Sequence, residues 1–264
     1  MKKWILSFLL LLPALLWSQK SLELMKQINR EVDFITTDRL GNLYLVKQNF
    51  IWMYNREGDS LRAFNSQRFG EVSHLDCSDP YQLLVFFQDY NIVLFLDNFL
   101  SENGDIIDMQ SIGLDQVTLA CHSREGGFWV FDQIRQKVLH LNDNLDVTHE
   151  TVNFMQWFGR RLSPDYMLEY NNQLYLNEPE SGLYVFDHFG TYIKKIALTQ
   201  LHEPQILEGS INYEFEGQFC QYSLQNFETI CSQTLKAKKL KQVRIEKGRL
   251  YTYDGKKISL YKIN

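Results

Sequence analysis

The chain has 264 residues, 45% hydrophobic, 22% charged and 14% aromatic, and a formal net charge of −5. Its five Trp, 14 Tyr and 18 Phe exclude low-complexity disorder, and its 14 Gly, five Pro and four Cys exclude collagen-like and disulfide-dense scaffolds. The negative charge argues against nucleic acid as the main partner, because a basic surface supplies most of that affinity.

The first element in chain order is a leader. Lys2 and Lys3 precede an apolar stretch from Trp4 to Trp17, and Ser18 supplies a small residue at its end. The stretch falls short of the roughly 20 residues that span a bilayer, so residues 1–18 read as an export signal. Residues 19–264 then form one mature domain with no transmembrane segment, expected in the periplasm or outside the cell. No Cys stands near the cleavage point, so no lipid anchor is expected there. The mature formal charge, without Lys2 and Lys3, is about −7.

Beyond residue 30 the apolar pattern has a period close to two, in short runs bounded by turn residues. One arrangement recurs: a turn, a strand, a second turn and a second strand. The first copy opens with Asp38-Arg39-Leu40-Gly41-Asn42-Leu43-Tyr44, and the second with Asp79-Pro80-Tyr81-Gln82 before Leu83-Leu84-Val85. The third has Arg124-Glu125-Gly126-Gly127-Phe128-Trp129-Val130, and the fourth Asn171-Asn172-Gln173-Leu174-Tyr175-Leu176 followed by Gly182-Leu183-Tyr184-Val185-Phe186-Asp187. Weaker copies stand at Glu216-Gly217-Gln218-Phe219-Cys220 and Lys247-Gly248-Arg249-Leu250-Tyr251. From Tyr44 through Val85, Trp129, Tyr175, Cys220 and Tyr251 the spacings are 41, 44, 46, 45 and 31. A period in the forties built from short strands is that of a propeller blade. The expected fold is an all-β, six-bladed β-propeller. The short last spacing keeps a five-bladed or irregular ring open.

The C-terminal copy supplies three strands, and Leu22 to Ile28 is a spare strand-like stretch ahead of the first copy. Placed as the outer strand of the last blade, it joins the chain ends and covers an exposed edge. The segments Asp-x-x-Gly-Asn-Leu-Tyr-Leu-Val and Gly-Leu-Tyr-Val-Phe-Asp-x-x-Gly-Thr-Tyr resemble the six-bladed NHL and YWTD-like propellers. With the Leu-Leu-Trp-Ser-Gln leader ending, which resembles signal peptides of Bacteroidota, the whole is similar to exported envelope propellers of that group.

Cys220 and Cys231 face each other if Gln225-Asn226 forms a two-residue turn. That register puts them at a wide, hydrogen-bonded pair, where a disulfide and two thiols are both open. Cys77 and Cys121 hold matching places in consecutive copies. They could bridge two blades, but buried free thiols are the preferred reading. No C-x-x-C spacing supports zinc or thioredoxin-like chemistry, and no metal or other cofactor is expected.

His74 and His122 are candidates to line the central channel, with a hydrogen-bonding role favoured over a metal or general-base role. No G-x-S-x-G, H-E-x-x-H or phosphate-loop motif occurs. Between the third and fourth copies, Phe154-Met155-Gln156-Trp157-Phe158-Gly159-Arg160-Arg161 combines residue types enriched at binding hot spots. Trp157, Phe158, Arg160 and Arg161 are the candidate partner-binding residues, against the alternative of core aromatics with solvated arginines. The basic run from Lys236 to Lys241 is a candidate contact for an anionic envelope polymer. The leading expectation is a non-catalytic, exported scaffold for another envelope protein. The alternatives are a lyase- or lactonase-like propeller enzyme with an axial site and a glycan-binding module.

Overall fold

The computed structural model describes residues 22–232 and 240–264. The leader at 1–18 and most of the basic run, Lys236 to Lys239, lie outside the described residues.

Strand β1 (Leu22–Ile28) opens the chain. Blade 1 follows with β2 (Phe34–Thr37), β3 (Leu43–Lys47), β4 (Phe50–Tyr54) and β5 (Ser60–Asn65). Blade 2 has β6 (His74–Asp76), β7 (Leu83–Phe87), β8 (Ile92–Leu96) and β9 (Ile107–Asp108), and blade 3 has β10 (Val117–His122), β11 (Phe128–Asp132), β12 (Lys137–Leu141) and β13 (Val147–Glu150). A five-residue helix, α1 (Phe154–Phe158), precedes blade 4: β14 (Tyr166–Tyr170), β15 (Gln173–Glu178), β16 (Gly182–Asp187) and β17 (Tyr192–Ile196). Blade 5 has β18 (Gln205–Leu207), β19 (Ser210–Phe215), β20 (Gln218–Ser223) and β21 (Thr229–Cys231), and blade 6 has β22 (Gln242–Glu246), β23 (Arg249–Tyr253) and β24 (Ile258–Ile263). Each blade is a four-stranded antiparallel sheet, and β1 completes the sixth beside β24. The register runs from Leu22 opposite Ile263 to Ile28 opposite Ile258. The fold is therefore a six-bladed propeller whose two chain ends share the last blade, and the five-bladed arrangement is excluded.

The short fifth spacing has a local cause. Tyr44, Val85, Trp129, Tyr175 and Tyr251 all lie on second strands, whereas Cys220 lies on the third strand of its blade. Its partner on the second strand is Tyr213, midway between Tyr175 and Tyr251 in sequence. Two similar turns mislead the reading: Glu208-Gly209 leads into the second strand and Glu216-Gly217 into the third, all four residues with positive φ.

The expected two-residue alternation also fails in the middle strands. β7, β8 and β11 are buried at every position, because a blade is covered on both faces by its neighbours. Outer strands such as β5 and β13 are largely exposed. Six apolar clusters fill the six gaps between blades. Leu84, Phe86, Phe128 and Val130 meet between blades 2 and 3, for example, and Tyr251, Leu260, Leu43 and Leu45 between blades 6 and 1.

The turns repeat by side-chain chemistry. Asn55, Asp97, Asn142 and Asp187 each end a third strand and accept from backbone amides two and four residues on, at 2.8–3.1 Å. Gly127 cannot be replaced cheaply: its φ is +69°, and an added Cβ would lie 1.9 Å from the Leu141 carbonyl oxygen.

Cys220 and Cys231 are joined in a disulfide, with Cα atoms 4.1 Å apart. The pair is a narrow, non-hydrogen-bonded one, because the ladder closes at Ser223 and Glu228 (Ser223 N to Glu228 O, 2.9 Å) and the loop has four residues. Cys77 and Cys121 are both buried and free. Cys77 faces blade 1 across the gap between blades 1 and 2, while Cys121 faces blade 4, so a bridge between them is geometrically closed. The disulfide secures a three-residue outer strand beside the cluster of Tyr175, Leu183, Ile211 and Tyr213. With the cysteines 11 apart in sequence, closing this loop stabilises by about 3 kcal/mol. Reduction, or the Cys220→Ala/Cys231→Ala variant, should lower the melting temperature by roughly 5–10 °C in calorimetry; an unchanged melting point would refute the assigned role.

Candidate functional site

All six inner strands run the same way along the axis and end at one mouth. There they enclose a cavity of about 490 Å³, lined by Thr36 and Thr37 (β2), Asp76 (β6), His122 (β10), Leu168 to Tyr170 (β14), Gln205 to Leu207 (β18), and Arg244 and Glu246 (β22). Arg39, Asp79 and Arg124 rim it from the turns that follow.

Neighbouring inner strands are too splayed to share a ladder, and side chains stitch them instead. The Asp76 carboxylate accepts from Ser78 N at 2.8 Å on its own blade and from His122 N at 2.9 Å on the next. Glu169 accepts from Trp129 Nε1 at 2.8 Å and from Arg124 N at 3.3 Å. Gln205 accepts from Ile245 N and donates to Ile245 O, at 2.8 and 2.9 Å, imitating a strand pair between blades 5 and 6. Gln242 accepts from Ile35 N at 2.8 Å and ties blade 6 to blade 1.

Below the cavity the axis is plugged. Arg244, 4% exposed, donates to the Glu203 and Val243 carbonyl oxygens at 2.9 Å and to the Glu203 carboxylate at 3.2 Å. Burial raises the Glu203 pKa, against the pull of Arg244. His74 packs its ring edge-on to Tyr166, centroids 5.1 Å apart. Burial lowers its pKa, which keeps it neutral, and burial raises that of the Tyr166 hydroxyl. Beyond the plug a second cavity of about 450 Å³ opens at the other end, among Asp165, His202, Glu203 and Glu214.

The two candidate histidines thus have different places. His122 borders the cavity, with Nε2 3.4 Å from Gln82 Oε1; His74 belongs to the plug. Burial holds the Cys77 and Cys121 thiols well above their ordinary pKa, so Cys77, at the cavity wall, is no ready nucleophile. Among the described residues, no three His, Cys, Asp or Glu side chains gather as a metal site.

Glu246 and Arg124 escaped the sequence reading. Glu246 is only 9% exposed; among the described residues no side chain pairs with it, and its carboxyl accepts from the Lys247 backbone amide. Its pKa is pushed up from 4.5 to about 7, first by burial and then by the Asp38 carboxylate. Its ionisation therefore costs the fold nothing below pH 4.5 and its full amount above pH 7. Glu246→Gln should leave stability unchanged at pH 4 and raise it at pH 8, by about 2–3 kcal/mol at most. Denaturant titrations at both pH values check this, and a variant equally or less stable at pH 8 would contradict it. Arg124 and Glu246 stand at or within three residues of the turns Arg124-Glu125-Gly126-Gly127 and Lys247-Gly248. Position relative to each repeat's turn was thus the available signal.

The residues around α1 divide differently from the expectation. Asn153 caps the helix by accepting from Gln156 N at 2.9 Å. Phe154 is fully buried against Phe131 and Phe186, and Phe158 packs on Tyr184 and Tyr192. Arg160 forks onto the buried Glu178 carboxylate and the Tyr184 hydroxyl, which holds its pKa up. Arg161 donates to Gln133 O at 2.6 Å. Phe158 is therefore committed to packing and Arg160 to its ion pair with Glu178, while Trp157, 59% exposed, is the apolar member of the set left open. The helix abuts the Gln133–Gln136 turn, at the end opposite the large cavity.

No family model and no curated protein matches this sequence. Solved structures do match. A virginiamycin B lyase from Staphylococcus aureus, crystallised as a catalytically inactive variant with quinupristin, is 12% identical over 90% of this chain and 99% of its own, with a TM-score of 0.59. A protein of unknown function from Bacteroides thetaiotaomicron is 9% identical over 91% of this chain and 72% of its own, with a TM-score of 0.62. An extracellular domain described as part of a one-component system from the same species is 12% identical over 87% of this chain and 32% of its own, with a TM-score of 0.56. At these identities the likeness is one of fold.

Proposed function

We propose that this chain is an exported, non-catalytic binding propeller that holds a small polar ligand in its axial cavity. The observation that carries the reading is the cavity itself: about 490 Å³, walled by residues of all six blades, with mixed charge and two tyrosines, Tyr166 and Tyr170. Two of the cavity's carboxylates are engaged in holding the blades together. Asp76 and Glu169 hold backbone amides and the Trp129 indole in place. Export is supported by the leader at 1–18 and by the Cys220–Cys231 disulfide, which suits an oxidising compartment.

A second reading, a scaffold docking another envelope protein, is favoured by Trp157, Met155, Ile134 and Val152. These are exposed apolar side chains on and beside α1. Two variants separate the readings. Ser78 is exposed at the cavity mouth, so Ser78→Trp narrows the entrance without touching the core. Native mass spectrometry of protein recovered from its own envelope should show bound ligand in wild type and Trp157→Ala, and at least tenfold less in Ser78→Trp. Retention in Ser78→Trp with loss in Trp157→Ala would overturn the axial reading.

A further inference from the structure

Among the described residues, two charged side chains at the axial cavity have no side-chain counterpart. The Arg124 guanidinium, on the turn after β10 of blade 3, pairs with no carboxylate among the described residues; only its backbone amide is engaged, by Glu169. Glu246, on β22 of blade 6, is nine-tenths buried at the cavity wall; among the described residues it has no side-chain partner, and its carboxyl accepts only from the Lys247 backbone amide. Blades 3 and 6 stand opposite each other in a six-membered ring, so a cation and a carboxyl, neither paired with a side chain, line opposite sides of the cavity.

The surroundings of Glu246 sharpen this. Asp38, from blade 1, is 1% exposed but fully engaged: it accepts from Leu40 N, Asn42 N, Asn42 Nδ2 and Tyr44 Oη at 2.8–2.9 Å. Glu208, from blade 5, adds negative charge; Lys247, next in sequence, offsets part of it, and Tyr251 of β23 couples to the same carboxyl. Arg244, the buried cation on the same strand, is turned to Glu203 in the plug. The potential beside Glu246 is therefore negative on balance, with Lys247 offsetting only part of it. A ligand ammonium group would supply a cation, and would favour the ionised carboxylate that burial disfavours.

Resting on the axial reading above, we propose that the cavity takes a short zwitterionic peptide, its ammonium on the Glu246 carboxylate and its carboxylate on the Arg124 guanidinium. A volume of about 490 Å³ lies in the range of sites for ligands of this size. Leu168, Ile206 and Leu207 offer apolar wall for side chains, and Gln205 and Asn171 flank the backbone. Binding strengthens as pH rises towards 7, where Glu246 ionises, and weakens again above about 8, where the peptide ammonium loses its proton.

The test uses the mature chain, native mass spectrometry at pH 8, and a pool of Ala-Xaa-Ala tripeptides with free termini. The same pool is offered N-acetylated and C-amidated, with free alanine and chitobiose as further arms. The free pool should be retained at least tenfold better than either blocked pool or alanine. Glu246→Gln should erase the penalty for acetylation and Arg124→Gln the penalty for amidation. The rise in stability of Glu246→Gln at pH 8 reports that it is folded, and Arg124 is an exposed position. Equal binding of blocked peptides or alanine, or variants that keep both penalties, would overturn the proposal. Chitobiose retained in place of peptides would overturn it while leaving the axial reading standing. A native ligand that survives Ser78→Trp would overturn the reading itself.

Discussion

Trp129→Ala should lower the melting temperature by roughly 10 °C. The side chain is 1% exposed in the gap between blades 3 and 4, among Cys121, Met167 and Leu176. It stacks edge-on against His140, with centroids 4.8 Å apart. Removing a buried indole costs about 3–5 kcal/mol through lost transfer energy and the cavity left behind, and each kcal/mol shifts melting by about 2–4 °C at this size. Trp129→Phe separates the two contributions. It keeps most of the volume and deletes only the 2.8 Å bond to Glu169 Oε2, at about 1–2 kcal/mol. Because Glu169 borders the cavity, Trp129→Phe should also weaken ligand retention. Calorimetry and ligand retention on the same two variants check both statements, and a Trp129→Ala protein melting within 3 °C of wild type would refute the first.

Deleting Leu22–Ile28 should have the larger consequence. Without β1, β24 becomes an open edge from Ile258 to Ile263, and the partly buried Leu22 and Ile28 no longer cover their clusters. An open six-residue edge pairs with other chains. The deletion should move the protein from its wild-type peak into aggregates on size-exclusion chromatography. Leu22 lies opposite Ile263, so the same seven residues moved behind Asn264 on a hairpin linker can reach the same place. That permuted chain should recover the wild-type peak. A cooperatively melting deletion that keeps the wild-type peak would show that closure of the ring is dispensable.

The blade pattern was legible because second strands are buried on both faces, and burial forces apolar runs after the turn that feeds them. Leu43-Tyr44-Leu45-Val46 and Phe128-Trp129-Val130-Phe131 announce themselves for that reason. The fifth blade was misread by one strand because Glu208-Gly209 and Glu216-Gly217 have the same composition and the same positive φ. The loop between Cys220 and Cys231 was read two residues short because Ser223, not Leu224, closes the ladder. The cavity was the least legible part. Its walls come from inner strands as short as three residues, such as β6 and β18. Single charged residues there look like ordinary solvated positions until six strands are drawn to one axis. Trp157 drew attention by residue type, yet Phe158 and Arg160 beside it are committed to Tyr184 and Glu178.

Hydrogen exchange of the mature protein, with and without extract of its native envelope, addresses the axial site most directly. Ligand binding should slow exchange at 36–39, 76–79, 122–124, 168–171, 205–207 and 244–246, all at one end of the ring. Protection confined to 152–161, around α1, would contradict the account.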